Sequence, residues 1–164
     1  MADGRNTEQF AKIHELIKDI HIAMLTTEDT DGVLHSRPMA TQKAEFDGNL
    51  WFLTRHNSDK VSEILHDSEV NLTYTDGNHS FVSLSGKAEI NQDRSKIDEL
   101  WSPLSKAWFP EGKDDPEITV LVVRVKEAEY WEAPANAIVR NVKILSAALT
   151  GGKVTMGEHE KVIL

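Results

Sequence analysis

The stretch "EITVLVVRVKEAEYW", residues 117–131, is apolar on both faces near its start and alternates towards its end. A strand that is apolar on both faces is typical of the centre of a sheet or of a barrel, where it is covered from both sides. Five other stretches are rich in β-branched and aromatic residues with a period of two. They are 22–27, 33–46, 49–54, 70–75 and 81–90.

Short turns link most of these stretches, so neighbouring strands are predicted to be antiparallel. Asp47-Gly48 lies between the second and third stretches, and Asp-Gly is a strong signal for a tight hairpin. This pairs strand three with strand two. Six antiparallel strands with few parallel crossovers favour a closed or nearly closed barrel, which also protects sheet edges. The predicted fold is therefore mainly β with flanking helices.

Helical periodicity separates some of the strands. We expect helices over 7–19, over 57–67 with Ser58 as N-cap, over 91–104 and over 135–149. A chain of 164 residues commonly buries one core, so residues 1–164 are taken as a single domain. Its core is expected over about 10–151, followed by a loosely held tail over 152–164.

Composition limits the classes of function. The net charge of −9 disfavours nucleic acid and anionic membrane as partners. Residues 37–60 carry a local charge of +1, which suits a small anionic ligand better than a polyanion. No signal peptide or membrane span is apparent, so a cytoplasmic location is expected. Cysteine is absent and the seven histidines are scattered, so no metal site is predicted.

Two stretches carry candidate binding groups. In "HSRPMATQK", residues 35–43, Pro38 cannot donate a ladder hydrogen bond, free backbone groups such as those of Met39 could face a flat ring, and Arg37 could bind phosphate. In "WFLTRHNSDK", residues 51–60, a hydroxyl, a cation and a helix start could form an anion site. Alternatively, the first stretch is an edge strand whose further pairing is prevented by Pro38, with Arg37 in solvent. The second stretch would then be only a capped helix with surface charges.

A third stretch, "WSPLSKAWFPEG", residues 101–112, places large rings in a loop-like context. Trp101, Trp108 and Phe109 could cover a second subunit or a ligand. Alternatively, the bends at Pro103 and Pro110 fold these rings onto the protein's own core.

Together these motifs resemble the FMN-binding split-barrel proteins related to pyridoxamine 5′-phosphate oxidase, in particular their general stress protein branch. The resemblance runs from about Phe10 to Gly151. It implies a six-stranded split barrel that forms a homodimer, with FMN bound in clefts at the subunit interface. The residues it assigns to FMN are Arg37, Thr54, Lys60 and Ser58 at the phosphate, Pro38 and Met39 at the isoalloxazine ring, Phe52 and Leu53 beneath the ribityl chain, and Trp108 as apolar cover.

The chain also departs from the vitamin B6 oxidases. They hold their substrate with an Arg-x-His pair and end in Arg-Leu-x-Pro, whereas this chain ends in "EHEKVIL". A true pyridoxamine 5′-phosphate oxidase is therefore disfavoured. The resemblance implies an FMN-dependent oxidoreductase with an unknown small-molecule redox partner. The alternatives are a flavin carrier or sensor without turnover, a split barrel that uses deazaflavin or haem, and a purely structural dimer.

Overall fold

The structure is a computed structural model that describes residues 4–42, 46–133 and 158–164. Its helices are α1 (Gly4–Ile17), α2 (Asp59–His66) and α3 (Arg94–Leu100), followed by a 3₁₀ helix (Pro103–Ala107). The strands within the described ranges are β1 (Ile22–Glu28), β2 (Leu34–Ala40), β3 (Asn49–Arg55), β4 (Glu69–Thr75), β5 (Ser80–Asn91), β6 (Ile118–Glu132) and β7 (Glu158–Ile163). The prediction of a mainly antiparallel β fold with flanking helices is confirmed.

All strand pairs in the sheet are antiparallel, in the order β2-β1-β4-β5-β6-β3, with β7 also paired to β6. The two end strands, β2 and β3, are not paired as a ladder, yet they line the same cleft, so the sheet curves strongly and stays open between them. A bulge in β6, where Lys126 is the extra residue opposite Ser85 and Gly86 of β5, contributes to the curvature. A Cβ atom at Gly86 would lie 2.2 Å from the Arg124 carbonyl oxygen, so only glycine fits there.

Strand β6 is the centre of this arrangement, as its sequence predicts. It pairs with β5 along most of its length, with β3 along its first half and with β7 along its second half. Its first half is buried on both faces: Leu121 and Val123 belong to the main core, and Ile118 and Val120 to a second cluster beneath α3. The main core lies inside the curved sheet and is closed by residues of α1 and α2.

The predicted hairpin between the second and third strands is wrong. Strand β2 ends at Ala40 rather than near Phe46, and β3 pairs with β6 instead of β2. A tight type I′ turn needs positive φ at both central residues, whereas here Gly48 has a φ of 97° and Asp47 is not in that region. The Gly48 carbonyl instead accepts a hydrogen bond of 2.9 Å from the Val125 amide, which ties the turn to β6.

Within the predicted loose tail over 152–164, the described residues 158–164 are not loosely held. Glu158–Ile163 forms β7, so the described part of the chain has seven strands rather than the six predicted. Val162 is buried in the main core, while an exposed ion pair joins Lys161 to Glu127 and a hydrogen bond joins the His159 ring to Glu129. The charged composition hid this strand because its ladder is held mainly by backbone bonds and cross-strand charge pairs.

The helix predictions hold in part. Helix α3 is shorter than the predicted 91–104: the Asp93 side chain caps its start, and Pro103 begins the separate 3₁₀ helix. The predicted helix over 135–149 lies outside the described residues. No helix in the described part of the chain is long and apolar enough to cross a membrane.

Candidate functional site

Two adjoining clefts lie where the sheet is open. The first, the ring cleft, has a volume of about 230 Å³ and lies between the facing edges of β2 and β3. The second, the anion cavity, has a volume of about 570 Å³ and lies at the start of α2. The two clefts share Ser58 and Lys60, so one elongated ligand could occupy both.

The anion cavity brings together the cations that the sequence indicates. Arg37 from β2 and Lys60 from the first turn of α2 both line it. The Lys60 Nζ atom donates a 3.2 Å hydrogen bond to the Thr54 hydroxyl at the end of β3. Arg37, Thr54 and Lys60 therefore converge. They do so because the sheet curves and α2, which follows β3, packs against β1 and β5 beside Arg37, not because β2 and β3 form a hairpin.

No carboxylate in the described ranges forms an ion pair with Lys60. Burial and, secondly, the charge of Arg37 lower the pKa of Lys60, and Asp59 and Glu63 only partly offset this. Its hydrogen-bond partner among the described residues is a hydroxyl. A half-buried ammonium group in this state is stabilised by an incoming anion.

The amino end of α2 contributes to the same cavity. Ser58 is the N-cap residue, as predicted, but its hydroxyl donates a 2.8 Å hydrogen bond to the Arg55 carbonyl instead of capping the helix. The start of α2 therefore has no side-chain cap beside the cavity. The backbone amides there and the helix dipole favour an anion.

The ring cleft has a mainly apolar wall. Pro38 and Met39 line one side, Leu53 and Thr54 the other, and Trp108 and Phe109 the end formed by the 3₁₀ helix. Trp108 is 61% exposed, whereas Phe109 is 4% exposed and packs in the second cluster with Ile118 and Val120. The fold-back alternative is thus confirmed for Phe109, and Trp101 packs partly against the same cluster. Trp108 remains the ring that is free to cover a ligand.

The backbone of β2 offers different groups from those expected. The Thr41 amide donates to the His21 carbonyl and the Asp29 amide to the Val33 carbonyl, which fixes the alternation of the ladder with β1. By that alternation the backbone groups of Met39 face β1, and those of its neighbours Pro38 and Ala40 face the open edge. The expectation that Met39 offers free backbone groups is therefore wrong, and Pro38 sacrifices no ladder bond.

Phe52 lies apart from both clefts. Its side chain is fully buried in the main core, on the opposite face of β3 from Leu53. It can contribute to a ligand site only through its backbone or by supporting the strand.

Sequence reasoning missed two residues of this region, Glu63 and Thr27. Glu63 lines the anion cavity and binds Arg37, and Thr27 binds both of them. Arg55 of the stretch 51–60 lies at the ring cleft, 5.6 Å from the Phe109 ring centroid. Lys60 and Glu63 are three residues apart and therefore lie on one face of α2. This spacing could have identified Glu63 as a residue of the anion cavity from the sequence. The described residues contain no cluster of three or more histidine and carboxylate side chains able to hold a metal ion.

Comparisons with known proteins agree with this architecture. A family profile described as "Pyridoxamine 5'-phosphate oxidase like" matches residues 8–155. Protein bli-3 of Neurospora crassa is 28% identical over 151 residues, which cover 85% of this chain and 72% of that protein.

Solved structures share the fold. A protein assigned as general stress protein 26 from Jannaschia sp. CCS1 superimposes with a TM-score of 0.74 at 24% identity, covering 96% of this chain and 99% of that one. The general stress FMN/FAD binding protein of Xanthomonas citri gives a TM-score of 0.69 at 26% identity, covering 79% of this chain and 92% of that one. The chain belongs to the pyridoxamine 5′-phosphate oxidase-like family, in its general stress protein branch.

Proposed function

We propose that this protein is an FMN-binding flavoprotein of the general stress type, with the flavin at the interface of a homodimer and an oxidoreductase activity. The observation that carries the proposal is the junction of a cationic cavity with an apolar cleft, which share Ser58 and Lys60. FMN joins a dianionic phosphate to a planar ring through a short polyol. The Xanthomonas citri relative, an FMN/FAD binding protein, supports the choice of a flavin.

Each end of the site has its own task. Arg37, Lys60, the Thr54 hydroxyl and the Ser58 segment would hold the phosphate, each charge-assisted bond contributing about 1.5–3 kcal/mol. Pro38, Met39 and Leu53 would flank the ring, Trp108 would cover it, and Phe52 would support β3 from the core side. When bound, a flavin supplies redox chemistry that the side chains need not provide, so the protein's part is to bind, orient and exclude water.

The homodimer is supported by the outer face of the sheet. Ile22, Met24, Phe81 and Trp131 are 45%, 40%, 50% and 39% exposed, respectively, on that face, the first two on β1 and the others on β5 and β6, with β4 between the two groups. Exposed apolar patches on a sheet mark interaction surfaces. Because Ile22 also lines the ring cleft, a second copy seated on this face would cover the cleft.

The proposal is tested on purified protein by the visible absorbance and mass of any bound ligand, and by the melting temperature with added FMN. Binding to the native state predicts a concentration-dependent rise in melting temperature. A colourless protein whose melting temperature does not change with added FMN contradicts the proposal. Extraction of a deazaflavin or haem would identify that group, rather than FMN, as the cofactor. Sedimentation at micromolar concentration tests the dimer, and a monomer there contradicts the interface.

A flavin carrier or sensor is the second candidate, and one observation favours it. The described residues that line the ring cleft include no carboxylate, histidine or tyrosine side chain that could exchange a proton with a substrate. Anaerobic reduction of the bound flavin by a nicotinamide cofactor, followed by oxygen uptake, supports the oxidoreductase. Failure of reduction by every donor tried supports the carrier.

A further inference from the structure

The guanidinium group of Arg37 is anchored inside the protein by two side chains from other elements. Its Nη2 atom donates a 2.7 Å hydrogen bond to a Glu63 carboxylate oxygen on α2. Its Nη1 atom donates to the Thr27 hydroxyl on β1, and that hydroxyl donates to the same Glu63 oxygen. The three residues form a closed network that joins β1, β2 and α2.

This network is largely removed from solvent. Thr27 is 1% exposed, and the side chains of Arg37 and Glu63 are 21% and 12% exposed. Burial raises the pKa of Glu63, but the hydrogen bonds from Thr27 and Arg37 outweigh it and hold that pKa below its ordinary value. The carboxylate is therefore ionised at neutral pH, and the guanidinium group is fixed in one orientation.

The anchoring leaves Arg37 able to bind a ligand. An arginine side chain has five N–H donors in a rigid plane, and the network uses one on each terminal nitrogen. The remaining donors are available to an anion in the cavity that Arg37 lines. An arginine held in its binding orientation loses less conformational entropy when it binds.

Glu63 could act on a bound phosphate in two opposite ways. As a negative charge that also lines the cavity, it would repel the phosphate. As the anchor of Arg37, it would strengthen phosphate binding. The second effect is favoured because its charge is directed at the Arg37 guanidinium and the Thr27 hydroxyl, which shield one of its oxygens.

We propose that Glu63, assisted by Thr27, is a positioning residue that presents Arg37 to the phosphate of the ligand. The inference rests on the flavin-binding function proposed above. Glu63 is therefore expected to strengthen the binding of ligands that carry a phosphate and to leave the binding of the flavin ring unchanged.

The test compares the dissociation constants of FMN and riboflavin, which share the ring and differ in the phosphate. For Glu63→Gln we expect FMN binding to weaken about tenfold, while riboflavin binding is unchanged. For Thr27→Val we expect a loss for FMN of about threefold, since one neutral hydroxyl is removed. The matched control is Glu89→Gln, because Glu89 forms an exposed pair with Arg124 at 2.9 Å and lines neither cleft. It should alter neither constant.

A double-variant cycle separates positioning from general packing. In an Arg37→Ala background, Glu63→Gln should no longer weaken FMN binding, because there is no guanidinium group left to position. Tighter FMN binding by Glu63→Gln, an equal loss for FMN and riboflavin, or the same loss without Arg37 would each overturn the inference. If Glu63→Gln does not fold, Thr27→Val decides by the same criteria. A wild-type protein that binds neither flavin overturns the proposed function itself.

Discussion

Lys60 and Lys12 occupy opposite electrostatic environments in the same molecule. Lys12, on α1, binds Glu132 directly and lies 3.6 Å from Glu158, so its pKa is raised, chiefly by the hydrogen bond to Glu132. Lys60, on α2, binds a hydroxyl, and burial lowers its pKa. Carboxylates within the fold neutralise Lys12, whereas Lys60 forms no ion pair with a described residue. This difference is the one expected between a structural ion pair and the phosphate site proposed above.

The largest expected effect is the removal of both cations from the anion cavity. Arg37→Ala with Lys60→Ala should weaken FMN binding by a factor of about 10² to 10⁴, since two charge-assisted interactions of about 1.5–3 kcal/mol each are lost. Titration of apoprotein with FMN measures it. The control is Lys12→Ala, which removes a cation that is paired with carboxylates and should leave FMN affinity unchanged. Equal losses of FMN affinity in both proteins would contradict the distinction between the two lysines.

The pH dependence of binding sharpens the comparison. Lys60 must be protonated to hold a phosphate, and its pKa in the free protein lies below the ordinary 10.5. Binding raises that pKa, so FMN affinity should fall, by up to about tenfold per pH unit, as pH rises above the pKa of the free protein. Lys60→Arg, which does not titrate in this range, should keep its affinity over the same window. An identical alkaline decline in both proteins would assign the titration to another group.

Trp108 tests the apolar half of the site. Trp108→Ala should weaken FMN and riboflavin binding equally, by about two- to tenfold, since the lost contact of about 0.5–1.5 kcal/mol is with the ring. Leu104→Ala is the matched control, because Leu104 lies on the 3₁₀ helix that precedes Trp108, is 80% exposed and does not line the ring cleft. A loss confined to FMN would place Trp108 near the phosphate instead.

The smallest effect is expected at Lys12. Lys12→Met should lower the free energy of unfolding by about 1 kcal/mol or less, because a partly exposed ion pair contributes little. Chemical denaturation measures it, and FMN affinity is expected to stay at the wild-type value. A marked loss of FMN affinity would mean that the ion pair on α1 is energetically coupled to the proposed ligand site.

Much of the fold and of the candidate site could be predicted from local patterns. The strands β1, β4 and β5 follow their alternating patterns closely, since alternation reports directly which face is buried. The continuous apolar start of β6 matches its burial on both faces. The cationic and hydroxyl residues of the anion cavity were also evident, because a strand end followed by a helix start places such groups together.

The sequence by itself determined the strand and helix types, the central role of residues 118–132 and the presence of anion-binding groups near Lys60. Only the tertiary structure decided that β3 pairs with β6, that 158–163 adds a strand and that Glu63 and Thr27 hold Arg37. The physical reason is the sequence distance over which each interaction acts. Periodicity and capping act over a few residues, whereas pairing of distant strands depends on the curvature and burial of the whole sheet.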